Sequence, residues 1–509
     1  MTLPRVDGEP AGMSTFALIY PSPALAELGD PLAIARVLGA AQEQLSQDDL
    51  LREVSRRLAV ALRSLTQRVT MDGPEDARWY WAAPLLLDRR RDREGSERWL
   101  AGSTAFRGLS HGAGADDEDS SAWALHVDLA QRMLRDGMGH SNATADLTDA
   151  RALGRVPADL METLARLAIA GPGVCGLRAM ARVLARVRGG KPDLWAGDAR
   201  DAGGRIAWGL RSLFNVPEVM ALVRGPVGEE AVYWRAVLAY GLDGNVQAML
   251  DEYAHVLPEW LGLLDRDAEA VAQEIGTTIA EAASVRSVNY GADELLIENS
   301  RLETKPLRLR VRFAMRFSVD QSDEEKKLQR SGAVRSAFNS PFWPFVLTST
   351  SVGQEGLDFH QYCHAVVHWN LPANPVDLEQ REGRVHRYKG HAIRKNVALK
   401  NRAAAFMRRV GDPWAAMFEA ASRGVSRGGL KDIEPFWVYE GPAHIQRVVP
   451  LLPLSREVER LERLKRSLAA YRMVIGQPRQ EDLVAYLQRS VGEEEMEELV
   501  QKLRVDLSP

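Results

Sequence analysis

From about residue 122 to 285 the chain reads as one helix after another, and that run constrains the fold more than any other feature. Stretches such as YWRAVLAYGLDGNVQAMLDEYAHVLPEWL carry apolar residues at helical spacing, are broken by Gly and Pro, and lack β-branched runs. After Val285 the texture changes. VRSVNYGADELLIENS and LRLRVRFAMRF alternate, while FVLTST and HAVVHW are apolar runs of strand length. A helical block followed by an α/β lobe is the expectation, and no fixed-period repeat suggests a solenoid.

Upstream, Ser46 precedes Leu50, Leu51, Val54, Leu58, Ala61, Leu62 and Leu65 at helical spacing. With Asp48 and Asp49 at the positive end of the dipole, this predicts an amphipathic helix. The run Phe16 to Tyr20, stopped by Pro21 and Pro23, predicts an edge strand. DRRRDRE (88–94) and DDED (116–119) read as solvated loops, with a boundary near 110–121. The division expected is a mixed N-terminal region with amphipathic helices (1–121), a helical region (122–285), an α/β lobe (286–425) and a helical C-terminal extension (426–509). In the last, EPFWVYEGPA suggests a small strand element. Val458, Leu461, Leu464 and Leu468 make the apolar stripe of a helical brace.

With 509 residues, 45% hydrophobic and 26% charged, the chain has material for three or four units of roughly 100–200 residues. Its 65 Lys and Arg against 69 Asp and Glu leave a net charge of -4, so nucleic acid must be met by a local patch. From Arg381 to Arg409 ten Lys and Arg accompany one acid, Glu382. That run suits the phosphate backbone, against the blander reading of a solvated helix face. Two cysteines exclude a disulfide framework, the opening residues lack an export pattern, and no apolar run approaches membrane length. A cytoplasmic protein without membrane contact is the expectation.

The chemistry gathers between Arg310 and Asn396. A strand at Arg312 to Phe317 leads to the capping box Ser322 to Glu325, opening a helix that Asn339-Ser340-Pro341 ends. Strand FVLTST, loop SVGQEGLDFH and strand HAVVHW follow, then a helix with Asn374 as N-cap and Pro375 in its first turn. On it Gln380, Arg384 and Arg387 fall at i, i+4 and i+7, presenting an amide and two guanidinium forks on one face. Gly383 leaves that surface open. Such forks stabilise charge developing on a transferred phosphoryl group. In the loop, Gly353 and Gly356 permit close backbone approach, Thr350 offers a hydroxyl and Asp358 a carboxylate. His360, Cys363, His364 and His368 invite a zinc ion, but they alternate across a strand, so a packed strand is expected and no metal. Trp79, Trp81 and Trp369 are expected in the core.

The segment Ser349-Thr350-Ser351-Val352-Gly353-Gln354-Glu355-Gly356-Leu357-Asp358 resembles motif V of superfamily 2 helicases. Gln380-Arg381-Glu382-Gly383-Arg384-Val385-His386-Arg387 resembles their motif VI, Q-x-x-G-R-x-x-R, and the linking stretch is most similar to the Swi/Snf-related and RapA-like branch. The resemblance implies the second RecA-like lobe, a parallel sheet with flanking helices, of an ATP-driven helicase or translocase. It implies that Arg384 and Arg387 are arginine fingers and Gln380 a nucleotide-sensing contact. Asp358, Gly356 and Gly383 would lie beside the nucleotide. Thr350 and Gly353 would meet nucleic-acid phosphates, joined by Lys389, Arg394 and Lys395 of the basic run.

The first lobe of that family carries G-x-x-x-x-G-K-[ST], and no such sequence occurs here. Gly171 to Gly176 has the glycine spacing, but Leu177 and Arg178 stand in place of Lys and Ser or Thr; Gly190-Lys191 runs into Pro192. Asp251-Glu252-Tyr253-Ala254-His255 has one residue too many for a carboxylate box and sits in a helical pattern. ATP with Mg²⁺ is therefore expected only at an interface with a P-loop lobe on another chain or a longer parent, and not on this chain alone. The partners implied are that lobe and nucleic acid, double-stranded DNA in first place. The rival expectations are a non-catalytic nucleic-acid or protein adaptor, and a truncated gene product.

Overall fold

Helical periodicity resolves into a run of helices that share one core. The computed structural model describes residues 1–6, 9–38, 45–67, 69, 72–109, 117–136, 153–226, 228, 232–284, 288–298, 301–311, 335–348, 358–407, 411–424, 433–450 and 456–473, with positions 491, 492, 495 and 498. A short antiparallel pair, β1 (Arg5–Val6) and β2 (Glu9–Pro10), opens the chain. Then come α1 (Ser14–Ile19), α2 (Pro23–Leu28), α3 (Pro31–Val37), α4 (Gln47–Thr66), α5 (Trp79–Arg91), α6 (Arg93–Gly102), α7 (Thr104–Arg107) and α8 (Asp117–Asp136). After them run α9 (Leu160–Ala170), α10 (Pro172–Arg188), α11 (Gly197–Phe214), α12 (Pro217–Arg224), α13 (Tyr233–Asp243), α14 (Val246–Trp260) and α15 (Ala268–Ala283). One apolar core runs through all of them from Leu3 to Ala283 and takes in Phe342, so these helices form a single body. Position 121, placed at a boundary in the sequence reading, lies inside α8.

Where a cap and a stripe coincide, local sequence and structure agree. The Ser46 side chain accepts from the Asp49 amide to start α4, which buries Val54, Leu58, Leu62 and Leu65. Two expectations are corrected. Phe16 to Tyr20 is not an edge strand: it lies in α1 and at its C-cap, because a short apolar run buried on every side carries no period to separate helix from strand. Its prolines mark a joint, with Ser22 capping α2 and Pro23 in its first turn. The run Asp88 to Glu94 is not a loop either; it joins the end of α5 to the start of α6. Asp88 is fully buried, accepting from the Tyr20 hydroxyl (2.8 Å), the Ser22 hydroxyl (2.9 Å) and the Ala24 amide (2.9 Å). Burial pushes its carboxyl up to about 6 against the pull of Arg200. Of DDED, Asp117 to Asp119 belong to α8.

Helix α10 runs through the middle of this body, buried from Pro172 to Ala185. The glycines of Gly171 to Gly176 serve packing. A Cβ on Gly173 would stand 2.2 Å from the Ile19 carbonyl oxygen, and one on Gly176 2.9 Å from that of Gly203 on α11. Leu160–Arg188, taken together, is long and apolar enough by composition to cross a membrane, which the sequence reading did not find; its apolar window is wholly buried in the body.

Beyond the body, β3 (Val288–Glu298) and β4 (Arg301–Val311) form an antiparallel hairpin from Val288↔Val311 to Glu298↔Arg301. The expected strand 312–317 and the capping box lie outside the described residues. A helical turn at 335–338 buries Ala337 and Phe338. The described part of FVLTST, 345–348, is not a strand: Phe345 and Val346 are exposed. HAVVHW does hold a strand, β5 (Ala365–Val367), which pairs in parallel with β6 (Gln446–Val448). Helices α16 (Pro375–Gly383), α17 (His391–Met407), α18 (Pro413–Gly424) and α19 (Glu457–Met473) complete the lobe. The stripe on α19 sets Leu464 against Leu371 and Leu378, so it braces α16. EPFWVYEGPA contains no strand; the neighbouring Gln446–Val448 supplies it. Trp79 and Trp81 are buried as expected, but Trp369 is exposed.

The crossing of α10 and α11 gives a direct test. A Cβ on Gly203 would stand 2.7 Å from the Leu177 amide nitrogen, whereas one on Gly190 meets nothing within 4 Å. Gly203→Ala should destabilise the body by about 1–3 kcal/mol in denaturant unfolding, and Gly190→Ala should stay within about 0.5 kcal/mol of the parent.

Candidate functional site

Asn374 accepts from the Val376 amide (2.9 Å) and Pro375 follows, so α16 starts where the sequence says it should. Leu378 anchors its inner side, leaving Gln380 in solvent. The helix ends at Gly383, one residue before the first guanidinium, and the Val385 amide bonds back to the Glu382 carbonyl at 3.0 Å. Arg384 is the C-cap, half-buried, and Arg387 lies beyond it in an exposed turn leading to α17. The expected single helical face is thus corrected: Gln380 is on the helix, Arg384 at its end, and Arg387 off it. A Cβ on Gly383 would meet no atom within 4 Å, so the surface beside Arg384 is open, as read from the sequence.

The two motifs still meet. Arg387 Nε stands 3.2 Å from Asp358 Oδ1, with the side chains 44% and 48% exposed. The Phe359 amide donates to the Arg384 carbonyl at 3.0 Å, and Asn339 Nδ2 to the Asp358 carbonyl at 2.7 Å. Thr350, Gly353 and Gly356 lie outside the described residues.

Glu382, inside the Gln380–Arg387 segment, is the staple of this arrangement. Its carboxylate takes Nε2 of His368 (3.1 Å) and the guanidinium of Arg447, while the His368 amide donates to the Val448 carbonyl (2.8 Å). The end of α16 is thereby tied to both strands. Partial burial raises its carboxyl, but the bonds from His368 and Arg447 outweigh that and bring it down to about 2.

Of the basic run, Lys395, Lys400 and Arg402 are exposed on α17. Lys389 and Arg394 are not available to nucleic acid, a correction to the reading of 381–409 as one free patch. Lys389 is buried, with Nζ 2.7 Å from Glu259 and 4.7 Å above the Phe418 ring. Arg394 is fully buried, with Nε 2.7 Å from Glu252 and a second donor on the Lys389 carbonyl at 2.8 Å. Both acids belong to α14 of the helical body, whose Glu252, Tyr253, His255 and Glu259 form a docking strip. His255 Nδ1 meets the Asp412 carboxylate, which also caps α18 through the Trp414 amide (2.8 Å). The His255 ring stacks on Phe418 with centroids 5.9 Å apart. Tyr253 packs edge-on against Phe342 (6.2 Å) and Tyr362 (5.9 Å). Sequence reasoning missed this face. Its signal is Glu252, His255 and Glu259 at i, i+3 and i+7 on a helix, complementary to a cationic segment far downstream.

His368 bonds Glu382, the Cys363 thiol faces the Ala365 carbonyl (3.4 Å), and burial holds the His360 ring down to about 4. Among the described residues no group of three His, Cys, Asp or Glu is arranged to hold a metal ion.

Residues 298–389 match the helicase conserved C-terminal domain. The match starts at the end of β3, spans α16 and stops at Lys389. A 42-residue stretch is 48% identical to the uncharacterized ATP-dependent helicase YqhH of Bacillus subtilis (strain 168), covering 8% of this chain and 7% of that protein. The chain therefore aligns with only a small part of that relative's length. No solved structure matches it. A helicase C-terminal domain is thus joined here to a large helical body.

The staple makes a prediction with a sign. The folded carboxyl of Glu382 lies near 2, below its unfolded value of about 4.3, so its contribution is complete above pH ~4.5 and lost as pH falls toward 2. Glu382→Gln should cost about 2 kcal/mol at pH 7 in denaturant unfolding of the lobe, with the deficit shrinking below pH ~4.5. A deficit that grows on acidification would refute the pairing.

Proposed function

We propose that this chain is the C-terminal part of an ATP-dependent superfamily 2 helicase or translocase, of the Swi/Snf-related and RapA-like kind, acting on double-stranded DNA in the cytoplasm. The observation that carries the reading is the Arg387–Asp358 contact. It sets the end of one motif against the end of the other on an exposed surface, beside Arg384 and the open flank of Gly383. An exposed ion pair of this kind is worth at most about 1 kcal/mol, so Arg387 can exchange a carboxylate for phosphate oxygens at little cost.

ATP and Mg²⁺ then lie where a P-loop lobe, on another polypeptide or a longer parent, meets this surface. Arg384 and Arg387 stabilise negative charge developing on the transferred phosphoryl group, Gln380 senses the nucleotide, and Asp358 and Gly356 border it. Nucleic-acid phosphates fall to Thr350 and Gly353 and to Lys395 on α17, not to Lys389 or Arg394. A second reading, a nucleic-acid or protein adaptor without turnover, draws its support from the missing G-x-x-x-x-G-K-[ST] sequence.

ATP turnover decides between them, measured on the full chain alone and mixed with a P-loop protein encoded in the adjoining reading frame, with and without duplex DNA. The mixture with DNA should turn over ATP and the lone chain should not. Arg384→Ala should lower the stimulated rate by about 100-fold or more, ~3 kcal/mol of barrier. Gly383→Ala should leave stability within about 0.5 kcal/mol but slow turnover by crowding the nucleotide. Unchanged turnover in Arg384→Ala removes the finger role, and robust turnover by the lone chain removes the split site. DNA binding without turnover in any mixture leaves the adaptor.

A further inference from the structure

The turn 384–390 carries both guanidinium groups and meets its own lobe through the Phe359 amide on the Arg384 carbonyl, Asp358 beside Arg387, and the Phe436 ring stacked on Tyr388. Arg387 and Tyr388 are exposed, and the turn ends in Lys389, a non-glycine residue in the left-handed region at φ +49°. For a side chain other than Asn, Asp or Gly this backbone is unfavourable and persists where surrounding contacts enforce it. The Lys389 amide donates to the Phe436 carbonyl (2.7 Å), and its ammonium, beside the stacked Phe418 and Phe436 rings, reaches Glu259. Glu259 is held as well by Arg186 of α10, a helix buried from Pro172 to Ala185. Five residues on, Arg394 bonds the Lys389 carbonyl while pairing with Glu252, two turns earlier on α14.

Resting on the reading above, we infer that Lys389 is a positioning residue: its ion pair with Glu259 makes α14 of the helical body the platform that aims Arg384 and Arg387, with Arg394–Glu252 as the second tether. Neither tether touches substrate. One starts from the last residue of the helicase-like segment and the other five residues beyond it, and each reaches a helix more than a hundred residues upstream, outside the matched domain. The orientation of the guanidinium groups is therefore set by the body and not by the lobe alone, and a movement of α14 is transmitted to them directly. Burial brings the Lys389 ammonium down from its ordinary value, while Glu259 opposes this; the carboxyl of Glu259, raised by burial, is brought below its ordinary value by Lys389 and Arg186. The two groups lie 2.7 Å apart in a partly desolvated site, and removing either costs the other a bond there, with Arg186 alone left on Glu259 when Lys389 is the one removed.

The test uses the full chain as Lys389→Gln, Glu259→Gln and the double variant. Hydrogen exchange should show the amides of residues 385–391 opening at least tenfold faster in each single variant, with α10 and α11 unchanged. The double variant should recover the protection only in part, because it removes the stranded member of the Lys389–Glu259 pair but leaves Arg186 without its carboxylate. In the ATP assay with DNA, kcat should fall more than tenfold in Lys389→Gln while KM for ATP stays within twofold, a split that general loss of fold does not produce. Unchanged exchange in the turn overturns the proposal, as does a loosened turn with unchanged kcat. Should the parent chain show no turnover in any mixture, the helicase reading falls, and the exchange measurement by itself upholds or overturns the tether.

Discussion

Glu259 holds the molecule together at its least redundant point. One carboxylate receives Arg186 from the middle of the helical body and Lys389 from the end of the helicase-like segment. Coulomb attraction in a partly desolvated site is strong, but so is the cost of bringing the charges there, and the balance depends on every member being present. Two further contacts share the load: Arg394 on Glu252, and His255 on Asp412. All three acceptors or donors project from one side of α14, and the lobe docks by charge with a small aromatic filling of Tyr253, Phe342 and Tyr362.

The neighbouring side of α14 is equally committed. Asp251 pairs with Arg182, and Arg182 reaches Asp30 (2.7 Å), which caps α3. Gln247 accepts from Arg178 at 2.7 Å. A helix with polar partners on both flanks has a unique rotation about its axis, since any turn would strand buried donors and acceptors. The body therefore offers the lobe a defined surface and not a greasy patch on which several registers are equivalent.

How much of this was legible follows from the range of each interaction. Caps are local, so Ser46 and Asn374 announce their helices to within a residue. The Leu464 and Leu468 stripe is periodic, so the brace is legible too. The Phe16 run misleads because burial on all sides erases the alternation that a strand or a helix face shows. Asp88 misleads because it sits in a charge run but is the one acid there that satisfies a buried turn. The motif spacing places Gln380, Arg384 and Arg387 on one helix, but nothing in it announces that the helix stops at Gly383. Lys389 and Arg394 look like free cations for the plainest reason. Their partners, Glu259 and Glu252, lie over a hundred positions away, and long-range charge pairing leaves no local mark.

The buried stretch Leu160–Arg188 bears on how the chain is made. It leaves the ribosome when α1, α2 and α4 already exist to cover part of it, but α11 and α14 do not. At about 5–20 residues per second those helices arrive several seconds later. Throughout that interval a segment as apolar as a membrane span stands half-clothed in water, and biosynthesis of this protein must shelter it from aggregation and from the translocation machinery until Gly203 closes over Gly176.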